Sequence, residues 1–252
     1  FEINIRKEDV LYQKYNPYSK EKQRKFFYHC LYRAYLFPMR FFEIDKDGKE
    51  IHYDTFNKTI KNGMLFTNIG FWDGQKTLFP LLSLIDTEFL EDLLEGIINT
   101  YIDTGFLPKW LSPDERSMMP GTLVDNTIAD LLSKKIGNDK SEILLEAMIK
   151  SANPENNKSK YGRFGANLMD ELGYVPADLH ESVNQTLDNS LSDFSIGKVA
   201  EILTKDELAN TYYKKSKAYQ NLFDKDIGWF RSKDRNGNFT KDFDKFSWGS
   251  PY

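Results

Sequence analysis

The chain has 252 residues, 40% hydrophobic and 29% charged, with a formal net charge of −4, which fits one large globular domain or two small ones. Its pI near 5.6 and scattered Lys and Arg leave no concentrated basic surface, and nucleic-acid binding is disfavoured because phosphate neutralisation needs one. No run approaches the roughly 20 apolar residues of a membrane span, and the single cysteine, Cys30, excludes an internal disulfide framework.

In chain order, residues 1–6, "FEINIR", alternate as a short strand does. Residues 19–37 predict a helix, with Ser19 as N-cap and Phe27, Leu31 and Tyr35 at four-residue spacing on one face. Pro38 stops it. Cys30 lies in this aromatic run and is expected to be a buried, inert thiol; adjacent His29 points to another face. Residues 41–54, "FFEIDKDGKEIHYD", place strand-like residues on both sides of Asp47-Gly48, a hairpin signal within a 41–68 β region. The spacing lacks the ligands of a calcium-binding EF-hand loop. Helices are predicted at about 73–85 and 87–103, the second capped by Asp86 or Thr87 and ended by Gly105. A loop, "FLPKWLSPDERSMMPGT", carries Trp110 and three prolines. Further helices are predicted at about 122–136, 140–151, 161–172, 181–203 and 205–222, and Asn236-Gly237 marks a hairpin in the tail.

About eight helices with small β-hairpins make the fold class mainly α. No fixed-period repeat appears. A bundle or a toroid of helical hairpins fits, and a toroid can carry a site on the loops at one end.

The residues with chemistry to offer sit at helix starts and in loops. Aromatics make up 15% of the chain, which reads either as an aromatic-rich core or as rings lining a groove for flat ligands. Trp72-Asp73 sharpens that choice. Asp73 can cap a helix with Trp72 in the core, the simpler reading of the dipeptide alone. Alternatively, an aromatic plane beside a carboxylate matches the apolar face and hydroxyl edge of a sugar. Trp110, Asp125 and Arg163 are further candidates. Asp125 and Asp130 lie about 140° apart around a helix, so they share no face. His29, His52 and His180 are isolated, and the common nucleotide-binding, hydrolase and metalloprotease signatures are missing.

Taken together, "FFYHCLYRAYLFP", "FWDGQKTLFPLLSLID", "GFLPKW", "MMPGTLVDNTIADLL", "YGRFGANLMDELGYVP", "ESVNQTLDNSLSDFSIGKVA" and "YQNLFDKDIGWFR" resemble glycoside hydrolase family 92 in the family's order, from about Phe26 to Tyr252. The resemblance implies calcium-dependent, exo-acting, inverting α-mannosidases, mainly active on α-1,2 linkages, built as an N-terminal β-sandwich on an (α/α)6 toroid. It also implies that Asp73 binds hydroxyls of the mannose being cleaved, with Trp72 and Trp110 shaping that pocket and Asp125 and Arg163 nearby. Two stretches depart from the family pattern. Trp-Asp-Thr, an aromatic and Arg become Trp72-Asp73-Gly74-Gln75-Lys76; Ser-x-Thr-Leu-Glu and a later Asp-Asp-Trp become Asn184-Gln185-Thr186-Leu187-Asp188 and Ser192-Asp193-Phe194.

The chain starts at Phe1 and ends "FSWGSPY", and the expectation is a piece of a longer protein. By the resemblance, residues 1–252 are one incomplete domain, the first part of the toroid. The general acid, the base and the main calcium ligands would follow Tyr252. The expected partners are mannose-containing glycans, and the open side of a partial toroid would favour self-association. The alternative is a catalytically silent carbohydrate-binding or surface protein on the same scaffold. A Lys- and Asn-rich composition suits a bacterial source, cytoplasmic or secreted. The sequons at Asn57, Asn157, Asn184 and Asn238 carry little weight.

Overall fold

A computed structural model describes residues 18–153, 160–241 and 243–246. The strand read at residues 1–6, Asn157 and the Trp248-Gly249 turn lie outside the described residues. Nine α-helices and nine short strands are present among those described.

Helix α1 spans Lys20–Ala34, and Ser19 Oγ caps it by accepting from the Lys22 amide. The helix buries no residue fully. Gln23, Phe27, Leu31 and Ala34 form its half-buried line, while Phe26 and Tyr32 are about 70% and 67% exposed. Cys30 falls off that line and is exposed, correcting the expectation of a buried thiol: the run is aromatic on several faces, but only one narrow face meets the rest of the molecule.

The β region holds β1 (Met39–Arg40), β2 (Glu43–Ile44), β3 (Glu50–Asp54), β4 (Thr59–Asn62) and β5 (Phe66–Thr67). Strands β2, β3 and β4 form one antiparallel sheet, and β1 pairs with β5. The Asp47-Gly48 turn closes through Asp45, whose Oδ1 accepts from the amides of Asp47 and Lys49. His52 is a core histidine, its ring nitrogens 2.9 Å from the Gly63 carbonyl and 2.8 Å from Asp103 Oδ2.

Strand β6 (Ile69–Gly70) leads into a four-residue helix, α2 (Phe71–Gly74), and then α3 (Leu78–Ile85). The helix predicted at 73–85 is therefore two pieces. Phe71 turns inward and stacks on Phe79, ring centroids 5.3 Å apart. Gly74 leaves space for the Phe79 ring, which a Cβ there would meet at 2.5 Å. These two buried positions tie α2 down and turn Trp72 and Asp73 outward.

Helix α4 (Thr87–Thr104) has Asp86 as N-cap, accepting from the Phe89 amide, and ends on Gly105 at φ 79°. A side-chain N-cap of this kind contributes about 1 kcal/mol. Strand β7 (Trp110–Leu111) pairs with β6 in register Gly70↔Trp110. Helices α5 (Val124–Ser133), α6 (Ser141–Ala152), α7 (Ala166–Leu172), α8 (Ser182–Ile202) and α9 (Asp206–Lys215) follow. Helix α7 starts later than predicted, because Gly162 and Gly165 take positive φ and hold residues 161–165 as a loop. Residues predicted to continue α9 form a separate 3-10 turn, Ala218–Leu222, drawn onto α8 by the Tyr219 amide donating to Ser190 Oγ. Strands β8 (Phe223–Asp224) and β9 (Trp229–Phe230) form a hairpin, and the Asn236-Gly237 turn follows, with Asp234 Oδ1 accepting from the amides of Asn236 and Asn238.

The core is built from Leu90, Leu94 and Ile97 of α4, Ile128 and Leu131 of α5, Leu144 and Met148 of α6, and Ile196 and Val199 of α8. Helix α8 packs on α5, α6 and α9. Its buried residues are mostly small and polar, including Gln185, Thr186, Asn189, Ser190, Ser192 and Asp193. That polar seam positions the site.

Candidate functional site

Trp72 is 37% exposed, and its indole Nε1–H donates to Asp188 Oδ2 at 3.0 Å, joining α2 to α8 across 116 residues of sequence. Asp73 is exposed, and its side chain makes no hydrogen bond or ion pair among the described residues. The N-cap of α2 is Gly70. Asp73 thus caps nothing and Trp72 is not sealed in a core, so the capping reading of the dipeptide fails. Trp110 lies alongside: its ring occupies the space a Cβ on Gly70 would need, 2.4 Å from that position. Trp110 thus packs on the residue that leads into α2, the helix that carries Trp72 and Asp73.

Hydrogen bonds tie the Trp110 loop and α2 to the rest of the fold. Glu115, buried, accepts from the amides of Lys109, Trp110 and Ser117, fixing the loop that presents Trp110. Burial pushes the Glu115 carboxyl up and the neighbouring Lys109 ammonium down. Gln75 Oε1 accepts from Asn126 Nδ2, and Asn126 Oδ1 accepts from Ser195 Oγ, linking α2 to α5 and α8. Gly121, at φ 74°, rests on Asp188: a Cβ there would sit 2.6 Å from Asp188 Cβ. The Gly121 amide donates to Gln185 Oε1, one turn before Asp188.

Asp125 and Arg163 also meet, but in the interior. Arg163 Nη1 donates to Asp193 Oδ1 at 2.6 Å, and its Nη2 lies 3.9 Å from Asp125 Oδ2. Asp125 Oδ2 accepts from Thr122 Oγ1, and Ser192 Oγ donates to the Thr122 carbonyl. Asp125 is 0% exposed and Arg163 5%, so neither presents surface to a sugar. They form a buried ionic clamp joining α5, α8 and the loop before α7. Asp125 Oδ1 and Arg163 Nε and Nη2 have no hydrogen-bond partner within the described residues. Burial raises the Asp125 carboxyl to about 7, against the pull of Arg163. Asp130, on another face, pairs with Lys134 at 2.6 Å.

The raised Asp125 value fixes a pH dependence. The folded state holds this proton from its ordinary value near 3.8 up to about 7, so ionisation costs stability as pH rises through that window. Relative to Asp125→Asn, which cannot titrate, the wild-type chain should lose stability from about pH 4 to pH 7. Urea unfolding at several pH values checks this; a pH-independent difference between the two proteins contradicts it.

Two site features escaped sequence reasoning. Asp188 and Asp193 stood out only within stretches that depart from the family pattern, on a helix with no clean apolar stripe. The signal was α8 itself, whose polar residues run along the side that packs. Among the described residues, no group of three or more His, Cys, Asp or Glu side chains is arranged to hold a metal ion.

The profile described as the Glycosyl hydrolase family 92 catalytic domain matches residues 12–252. A family GH92 inverting mannosidase from Bacteroides thetaiotaomicron has a similar structure, with TM-score 0.87 and 36% identity, covering 91% of this chain and 31% of that one. A family GH92 alpha-mannosidase of the same organism, solved with mannoimidazole, aligns with TM-score 0.80 and 26% identity over 91% of this chain and 30% of that one. The chain thus spans about a third of the length of these structures. No curated protein matches it.

Proposed function

The chain belongs to glycosyl hydrolase family 92, and on that premise we propose that it forms part of the catalytic domain of an exo-acting, inverting α-mannosidase cleaving α-1,2-linked mannose. The observation that carries this reading is the outward pair Trp72-Asp73, held in place by Asp188 and built beside Trp110. A half-exposed indole that gives its N–H to a carboxylate keeps its face free for the CH surface of a pyranose. An exposed carboxylate without protein partners suits hydroxyl groups.

In this reading the residues described here bind and orient the terminal mannose, and mannose release needs a separate acid and base. An inverting pair lies about 6.5–9.5 Å apart, with a water between base and anomeric carbon. The resemblance assigns both groups, and the remaining helices of an (α/α)6 toroid, to segments of the family that follow the Trp248-Gly249 turn. Calcium is part of the family reading, but a hard cation of this size takes about 6–8 oxygen ligands. The described residues offer no such cluster.

The test is proton NMR of an α-1,2-linked mannobiose incubated with the full-length protein. The β-anomer of mannose should appear first, and residues 1–252 alone should release none. First-formed α-mannose would contradict inversion. Sugar binding by the full-length protein without hydrolysis would favour the silent carbohydrate-binding alternative.

A further inference from the structure

Three buried carboxylates in this molecule are each met by two or more donors from their own neighbourhood. Asp54 accepts from the Phe56 and Asn57 amides and from Asn57 Nδ2. Glu115 accepts three backbone amides. Asp224 accepts from the Asp226 amide and Arg231 Nη1. Such saturation is what a structural carboxylate needs to offset desolvation.

Asp188 differs. Its one hydrogen-bond partner among the described residues is the neutral Trp72 N–H, on Oδ2. Oδ1 has no partner there, yet it is not among the sealed, unsatisfied atoms, so it remains accessible. The Lys76 ammonium favours its charged form and the Glu181 carboxylate opposes it. Burial raises this carboxyl to about 6. Asp188 is thus a half-buried carboxylate bonded to Trp72, the neighbour of Asp73, and its open oxygen is an acceptor that a ligand hydroxyl can occupy.

We propose that Asp188 is itself a sugar-binding residue, its Oδ1 accepting from one hydroxyl of the bound mannose unit while its Oδ2 holds the Trp72 indole. The inference rests on the mannosidase reading and adds a second carboxylate to the one at Asp73. Two acceptors fixed on different elements would read two hydroxyl positions at once, which makes Asp188 specificity-determining as well as positioning.

The test pairs enzyme and substrate changes. The full-length protein is assayed for kcat/KM on α-mannosides lacking the 2-, 3-, 4- or 6-hydroxyl of the terminal unit, in wild type and in Asp188→Asn. Asn keeps an oxygen for the Trp72 N–H but removes the charge. In wild type, loss of the hydroxyl that Asp188 reads should cost about 10–100-fold, the range for a hydrogen bond to a charged group. In Asp188→Asn that one penalty should collapse to about threefold or less, with the other positions unchanged. Asp188→Glu, which keeps the charge but displaces it by a methylene, should weaken discrimination at the same position only. The Trp72 indole N–H resonance, assigned through Trp72→Phe, should shift in Asp188→Ala and hold in Asp188→Asn. An unchanged deoxy profile in an active Asp188→Asn protein overturns the contact. So does an indole shift in Asp188→Asn as large as in Asp188→Ala, which would leave Asp188 a positioning role alone. A wild-type protein inactive on every α-mannoside would instead overturn the mannosidase reading.

Discussion

Replacing Arg163 by Met should destabilise the chain by about 3–5 kcal/mol, the usual cost of breaking a buried ion pair from one side. Arg163 is 5% exposed, and its Nη1 contact with Asp193 is 2.6 Å. Removing the guanidinium leaves Asp193 at 1% exposure and Asp125 at 0%, both without their cation. Met restores most of the volume, so the loss should be electrostatic rather than a cavity effect. The midpoint of urea unfolding should fall with little change in slope. Replacing Asp193 together with Arg163 by apolar residues should recover part of the loss, because no charge is then stranded. A single Arg163→Met variant within about 1 kcal/mol of wild type would contradict this account of the clamp.

Asp73→Ala should lower kcat/KM of the full-length protein on an α-1,2-linked mannobiose by about 10²-fold or more, equivalent to a few kcal/mol of transition-state binding. The stability of the fold should be unaffected, because the Asp73 side chain is exposed and makes no hydrogen bond or ion pair among the described residues. That separation of effects is what distinguishes a sugar contact from a helix cap, whose loss would cost about 1 kcal/mol of stability. Trp72→Ala is a less clean experiment, since it also strips Asp188 of its hydrogen bond. Near-normal kcat/KM in Asp73→Ala would remove this residue from the pocket.

What could be read in advance followed the range of the interactions. Asp86 and Gly105 bound α4 where the sequence put them, because caps are decided by three or four neighbouring residues. The Asp47-Gly48 and Asn236-Gly237 turns are equally local. The helix predicted at 73–85 is present over Leu78–Ile85 but broken after Gly74, where Phe71 and Gly74 pack against Phe79. That contact is invisible to a pattern search. Cys30 was misplaced because the aromatic run around it hid which face is covered.

The candidate site was legible only in part. Trp72, Asp73 and Trp110 were identified as residues, and the β6–β7 pairing sets Trp110 opposite Gly70, the residue that leads into α2. Asp125 and Arg163 do meet, but beneath the surface, through Asp193. Asp188 and Asp193 each act on partners 116 and 30 residues away. Such pairings are products of tertiary structure, and no spacing along the chain encodes them.

The most direct measurement is a crystal structure of the full-length protein with a mannose-like inhibitor such as mannoimidazole. The account predicts the sugar ring lying against the Trp72 indole, with hydroxyl groups within hydrogen-bond distance of the Asp73 and Asp188 carboxylates. A ligand seated elsewhere, with all three side chains untouched and in the positions described here, would contradict it.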